Sequence, residues 1–150
     1  MSKLMALILV AGCGTTDPLF WEKCPGCAAT AGGGWDVIAD GAEVTGDYDV
    51  VGPPDPYMCL TVKGGTHCSS SESDTSSPRW GDTIVHLLTT ADLTKAPLAV
   101  ALWDEDTGGL DTNDFICSTE VQITSDDLEA GGIRFSCDRA NAAFRFHFVP

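Results

Sequence analysis

The chain has 150 residues, a length that suits one domain of ordinary size. It carries 22 acidic residues against 8 Lys and Arg, for a net charge of −14. With the basic residues scattered singly, this balance weighs against nucleic acid as a partner and against unaided attraction to anionic lipid.

Met1-Ser2-Lys3 is a short basic start, and Leu4 to Ala11 is an apolar run too short to span a bilayer. Small residues follow up to Cys13, an order that suits a secretory signal. Leu9-Val10-Ala11-Gly12-Cys13 resembles the lipobox of bacterial lipoproteins. The resemblance implies that residues 1–12 are a signal peptide and that Cys13 is lipidated. It further implies an exported protein anchored to a bacterial membrane, at the outer membrane or cell surface. Six cysteines then remain: Cys24, Cys27, Cys59, Cys68, Cys117 and Cys137. An even number in an exported chain reads as disulfides, and the sequence does not choose among the pairings. Zinc at Cys24-Pro25-Gly26-Cys27 would require a second pair with fitting His spacing, and thiol redox chemistry a strand–helix setting. Residues 13–34 read as a tether rich in Gly, Thr, Ala and Pro, with Trp21 and the cysteine pair placed to pin it to the domain.

From Trp35 onward the pattern is β. Strands are predicted over Trp35–Asp40, Tyr57–Lys63, Thr66–Cys68, Thr83–Leu88, Leu98–Trp103, Asp114–Ile123, Ile133–Cys137 and Phe144–Val149. Ser69–Ser77 is a polar loop, and Ser125–Ala130 is one helical turn capped by Ser125. No long 3.6-residue period appears. The predicted fold is an all-β, eight-stranded antiparallel sandwich over residues 35–150.

Five aspartates lie on two stretches. Asp49 and Asp55 bracket a D-x5-D-P-Y segment, and Asp104, Asp106 and Asp114 stand in Trp103-Asp104-Glu105-Asp106 and the residues after it. No Lys or Arg interrupts either stretch. Two like charges about 4 Å apart repel by roughly 4 kcal/mol at an effective dielectric near 20, so a fold that joins these stretches needs a cation between them. Hard oxygen donors without His or thiolate favour calcium.

Four short segments resemble those of the C2 domain, a calcium- and lipid-binding β-sandwich. Asp55-Pro56-Tyr57 is similar to its S-D-P-Y-V segment, and Ser77-Pro78-Arg79-Trp80-Gly81-Asp82 to its N-P-x-W-x-E turn. Leu102–Asp106 is similar to its V-x-D-x-D strand end, and Asn113-Asp114-Phe115-Ile116 to its N-D-x-I-G segment. Cys117 stands where the family has glycine, the Asp106–Asp114 gap is long, and no basic strand patch is present. The order of elements implies the phospholipase-C-type (type II) topology, with Phe144–Val149 as the eighth strand.

The resemblance implies a calcium site between the first and third loops. Its ligands would be Asp49, Asp55, Asp104, Asp106 and Asp114 with the carbonyl of Glu105, and Asp111 is an additional candidate. Val50, Val51 and Leu110 stand at the loop tips, where family members contact lipid. The implied function is calcium-dependent binding of a phospholipid membrane, or of a surface protein or polysaccharide, by a monomer without catalytic activity. A structural or protein-interaction sandwich that does not use calcium is the alternative. His67, His86 and His147 fall on separate strands and read as sheet-surface residues, and no serine stands in a nucleophile setting. Trp80 and Trp103 are expected to pack into the core near the loop ends.

Overall fold

The computed structural model describes residues 21–46, 52–106 and 113–150. Strict alternation in β5, Leu98–Asp104, turns Leu98, Val100 and Leu102 to one side and Ala99, Ala101 and Trp103 to the other. The same two-residue period runs through β2, Pro56–Val62, where Met58, Leu60 and Val62 are buried. In β1, Gly34–Val44, it buries Trp35, Val37 and Ala39. With β3 (Gly65–Cys68), β4 (Asp82–Leu88), β6 (Asp114–Val121), β7 (Gly132–Cys137) and β8 (Ala140–Val149), they form two antiparallel four-stranded sheets. The orders are β4-β1-β8-β7 and β3-β2-β5-β6. The C-terminal β8 pairs along β1 from Gly34–Val149 to Val44–Ala140, the placement expected of the phospholipase-C-type arrangement.

The inner faces meet in a core of Trp35, Val37, Met58, Leu60, Leu102, Phe144 and their neighbours. Each such side chain contributes about 1.5–3 kcal/mol by leaving water. Two short helices close one end. α1, Thr90–Thr94, inserts Leu93, and α2, Ser125–Ala130, inserts Leu128. Both begin with a capping box, Thr89 with Asp92 and Thr124 with Asp127. The sequence reading did not foresee α1, and it set the α2 cap one residue late, at Ser125.

The expected strands are present with shifted ends. β1 continues past Asp40 to Val44 through a register shift between Ala39 and Gly41, because Ala42 and Val44 still supply core surface. Trp80 packs against the core and its Nε1 donates to the Pro56 carbonyl at 3.0 Å. Trp103 differs from expectation. The β5 alternation sends Leu102 and Asp104 inward, so Trp103 lies on the outer face, edge-on to Phe115 with ring centroids 5.2 Å apart.

Residues 21–33 lie against the sandwich. Trp21 is buried over Gly132, where a Cβ would stand 2.5 Å from the indole ring. Cys24 N–H donates to the Glu129 carbonyl at 2.9 Å. A 3₁₀ turn, Cys27–Ala29, brings the Ala28 carbonyl to the Thr90 hydroxyl at 3.1 Å, and that same hydroxyl oxygen accepts from Trp35 Nε1 at 3.0 Å. The disulfides are Cys24–Cys27, Cys59–Cys68 and Cys117–Cys137. The first closes the turn, the second crosslinks β2 and β3, and the third joins β6 of one sheet to β7 of the other.

The Cys117–Cys137 bridge closes a loop of sequence separation 20, so a Cys117→Ser/Cys137→Ser variant loses about 3 kcal/mol in urea unfolding. The Thr89 backbone N–H and hydroxyl, and then Lys63, hold Asp92 below its ordinary value of 3.8. Its contribution is therefore complete at neutral pH and fades as pH falls below that value. Asp92→Asn costs about 1 kcal/mol at neutral pH in thermal melts, and the difference shrinks in acid.

Candidate metal centre

β1 rises to the end of the sandwich opposite the two helices, and the chain returns there through Asp55 into β2. Register then aligns the acids. Pro56 stands opposite Asp104, and Asp104 opposite Asp114, so the starts of β2 and β6 flank the end of β5. The two acidic stretches are thus neighbours on one edge at Asp55 and at Asp104–Asp114.

Hydrogen bonds lock them together. The Asp55 N–H donates to Asp104 Oδ1 at 2.6 Å, and the Glu105 N–H donates to the Asp55 carbonyl at 3.0 Å. Asp104 is fully buried, whereas Asp55 and Asp106 are half-buried and Asp114 is exposed. A buried carboxylate is costly unless hydrogen-bonded, and the Asp55 amide supplies that bond. The third loop is braced by Asn113, whose Oδ1 accepts from the Asp106 N–H at 3.3 Å and whose Nδ2 donates to the Tyr57 hydroxyl at 2.9 Å.

A polar loop between β3 and β4 completes this edge, and the sequence reading gave it no role. Asp74, in the left-handed region with φ 54°, donates its N–H to Asp55 Oδ1 at 2.6 Å. Ser71 donates to Glu105 Oε2. Thr75 N–H reaches the Pro54 carbonyl at 2.8 Å, and Glu72 N–H the Pro56 carbonyl at 3.2 Å. No motif in Ser69–Ser77 signals these contacts, which depend on where the neighbouring loops lie.

Of the expected ligands, Asp55, Asp104, Asp106 and Asp114 stand together at this edge with the Glu105 backbone. Asp49, Asp111 and the loop-tip residues Val50, Val51 and Leu110 lie outside the described residues, as does Cys13. Among the described residues no three His, Cys, Asp or Glu side chains close a metal cage. The donors present are carboxylates and carbonyls, the chemistry that calcium takes at six to eight positions, so the edge fits calcium in kind. The histidines lie elsewhere. His86 Nδ1 is 3.3 Å from Asp36, and His147 Nδ1 is 3.1 Å from Glu22.

Asp104→Ala leaves the Asp55 N–H unsatisfied and costs about 1–3 kcal/mol in urea unfolding. Asp104→Asn costs much less, because its amide oxygen can accept the same bond.

The C2 domain family matches residues 39–135. No curated protein sequence matches the chain at a significant level. Among solved structures, human GIVD cytosolic phospholipase A2 in complex with methyl gamma-linolenyl fluorophosphonate is similar over 77% of this chain, at 20% identity and TM-score 0.58. The similar region is 17% of that phospholipase chain, so this chain spans a small part of its length. The paired C2 domains of extended-synaptotagmin 2, calcium bound, are similar at 20% identity and TM-score 0.56, over 77% of this chain and 45% of that one. A C2 domain of plant extended synaptotagmin 1 is similar at 11% identity and TM-score 0.61, over 79% of this chain and 95% of that one.

Proposed function

This chain belongs to the C2 domain family, and from that membership we propose that it binds calcium at the Asp55–Asp104–Asp114 edge and uses the ion for contact with a phospholipid membrane or another surface partner. The observation that carries the reading is the register Pro56–Asp104–Asp114, which sets two acidic segments side by side. The calcium-bound state of the similar extended-synaptotagmin chain supports it. In this reading Asp55, Asp104, Asp106 and Asp114 hold the ion with the Glu105 carbonyl, Asp49 and Asp111 close the cage, and Val50, Val51 and Leu110 touch lipid. The bound cation also offsets the repulsion among these acids. The chain acts by binding rather than catalysis, as a monomer. The Leu9–Cys13 motif supports export and lipid anchoring at Cys13 on a bacterial outer membrane or cell surface.

A second reading is a protein-interaction sandwich that does not use calcium. It is favoured by the Asp55 and Asp104 carboxylates, each of which already accepts a backbone N–H.

Calorimetry separates the two readings. Wild type gives a calcium-binding isotherm, and an Asp104→Asn/Asp106→Asn variant gives none. Calcium at about a hundred times its dissociation constant adds about 2.7 kcal/mol of stability, which EDTA removes. Equal heats in both proteins, or a melting point indifferent to EDTA, reject the metal site. If calcium binds, sedimentation with phosphatidylserine vesicles tests the lipid arm, which requires calcium-dependent co-pelleting.

A further inference from the structure

The disulfides of the described residues are held in unequal ways. Cys59 and Cys68 are register partners in β2 and β3, and Cys59 is buried. Cys117 is buried in β6 opposite Leu102, and Cys137 ends β7 opposite Ala140. Strand ladders keep both of these pairs in place whether or not their sulfurs are bonded. Cys24 and Cys27 belong to no strand. They are joined by Pro25-Gly26, both exposed, with Gly26 in the left-handed region at φ 80° and open space where its Cβ would be. The Cys27 N–H donates to the Cys24 carbonyl at 3.1 Å, and the Cys24 N–H to the Glu129 carbonyl at 2.9 Å. These are the bonds of a surface turn, not of a sheet.

That difference decides which bridge yields to a reductant. Two thiols pressed together by a ladder have a high effective concentration and re-form their bond against an external dithiol. Two thiols on a turn that relaxes after reduction do so less readily. Access acts in the same direction, because an entering thiolate must reach a sulfur. Cys59 and Cys117 each bury one end of a bridge, whereas Cys24 and Cys27 are both half-buried beneath an exposed turn. Two residues between the cysteines is also the spacing of thiol-exchange motifs. Charge favours the anion that attacks. On a chain of net −14, the exposed Lys23 adjoins Cys24, and the neighbouring acid, Glu22, is turned to His147 Nδ1 at 3.1 Å.

We propose that Cys24–Cys27 is a thiol–disulfide exchange site for a protein dithiol, and that its reduction unclasps the leading segment from α1. A thiolate of the dithiol attacks one sulfur of the pair. A mixed disulfide forms, the Cys24–Cys27 bond breaks, and the displaced thiolate takes up a proton. The partner's second thiol, as its thiolate, then attacks the mixed disulfide. The partner departs as a disulfide, and two electrons and two protons have passed to Cys24 and Cys27. The setting lacks the strand–helix frame of a thioredoxin-type enzyme, so the site reacts mole for mole and does not turn over. The closed ring sets the 3₁₀ turn whose Ala28 carbonyl accepts from Thr90, and the Thr90 hydroxyl in turn holds Trp35 Nε1. Opening the ring relaxes that turn and takes the acceptor from Thr90.

The site uses no residue of the acidic edge, so EDTA is present throughout and the result is independent of the metal reading. The full chain is equilibrated without denaturant in mixtures of reduced and oxidised dithiothreitol, alkylated, and read by mass spectrometry at each cysteine. Cys24–Cys27 is half reduced at a reduced-to-oxidised ratio at least about tenfold below that of either other bridge. Reduced thioredoxin, a protein dithiol, is oxidised mole for mole by wild type and not by a Cys24→Ser/Cys27→Ser variant. Should that variant fail to fold, the map of alkylated cysteines in wild type decides. On reduction, shifts centre on the Ala28 and Thr90 amides and the Trp35 indole N–H, and the amides of β2 and β5 stay in place. Reduction of either other bridge at an equal or lower ratio, no reaction with thioredoxin, or unmoved Thr90 and Trp35 signals in the reduced chain would overturn it.

Discussion

One buried carboxylate ties the fold to the site. Asp104 ends β5 inside the sandwich, and the Asp55 amide is bonded to it. A charge removed from water is tolerable only with such partners, so the first acidic stretch must return beside the second for this packing to hold. The geometry that satisfies Asp104 is the geometry that gathers Asp55, Asp106 and Asp114. Stability and like-charge repulsion are thereby set against each other on one edge.

The rest of the molecule supports that edge from behind. Leu93 and Leu128 fill the opposite end, and Thr90 ties Trp35 in β1 to the Ala28 carbonyl of the leading segment. The register shift in β6 has a further effect. Leu102 pairs with Cys117 and Trp103 with Phe115, so Ile116 is the extra residue of a bulge. Ile116 and Cys117 are consecutive and both buried. That local turn lets Cys117, standing where the family has glycine, face β7 and bond to Cys137.

Much of this was legible in the sequence because it rests on short-range pattern. Period-two alternation marks β7 and β8, β-branched and aromatic residues mark β2, an apolar run marks β5, and the Asp-Pro-Tyr and Trp-Asp-Glu-Asp segments mark the strand ends that carry the acids. What escaped depends on context. α1 is five residues long, too short for a helical period to emerge, and its signal was the Thr89–Asp92 capping pair alone. The outward position of Trp103 follows from Asp104 being buried, and composition alone does not show which neighbour turns in. The disulfide partners were unreadable for a similar reason, since Cys117 and Cys137 lie in different sheets. The role of Asp74 was hidden because its N–H meets Asp55 only once two loops are folded.

The leading segment attaches beside α2, through Cys24 and Glu129, whereas the acids stand where β2 begins. The seven residues of β2 separate those poles by about 20 Å. A molecule held from its N-terminal side thus directs its anionic pole away from the support, as a grapnel faces away from its rope. Under the proposed anchoring, a partner taken at that pole would be met on an apposed surface.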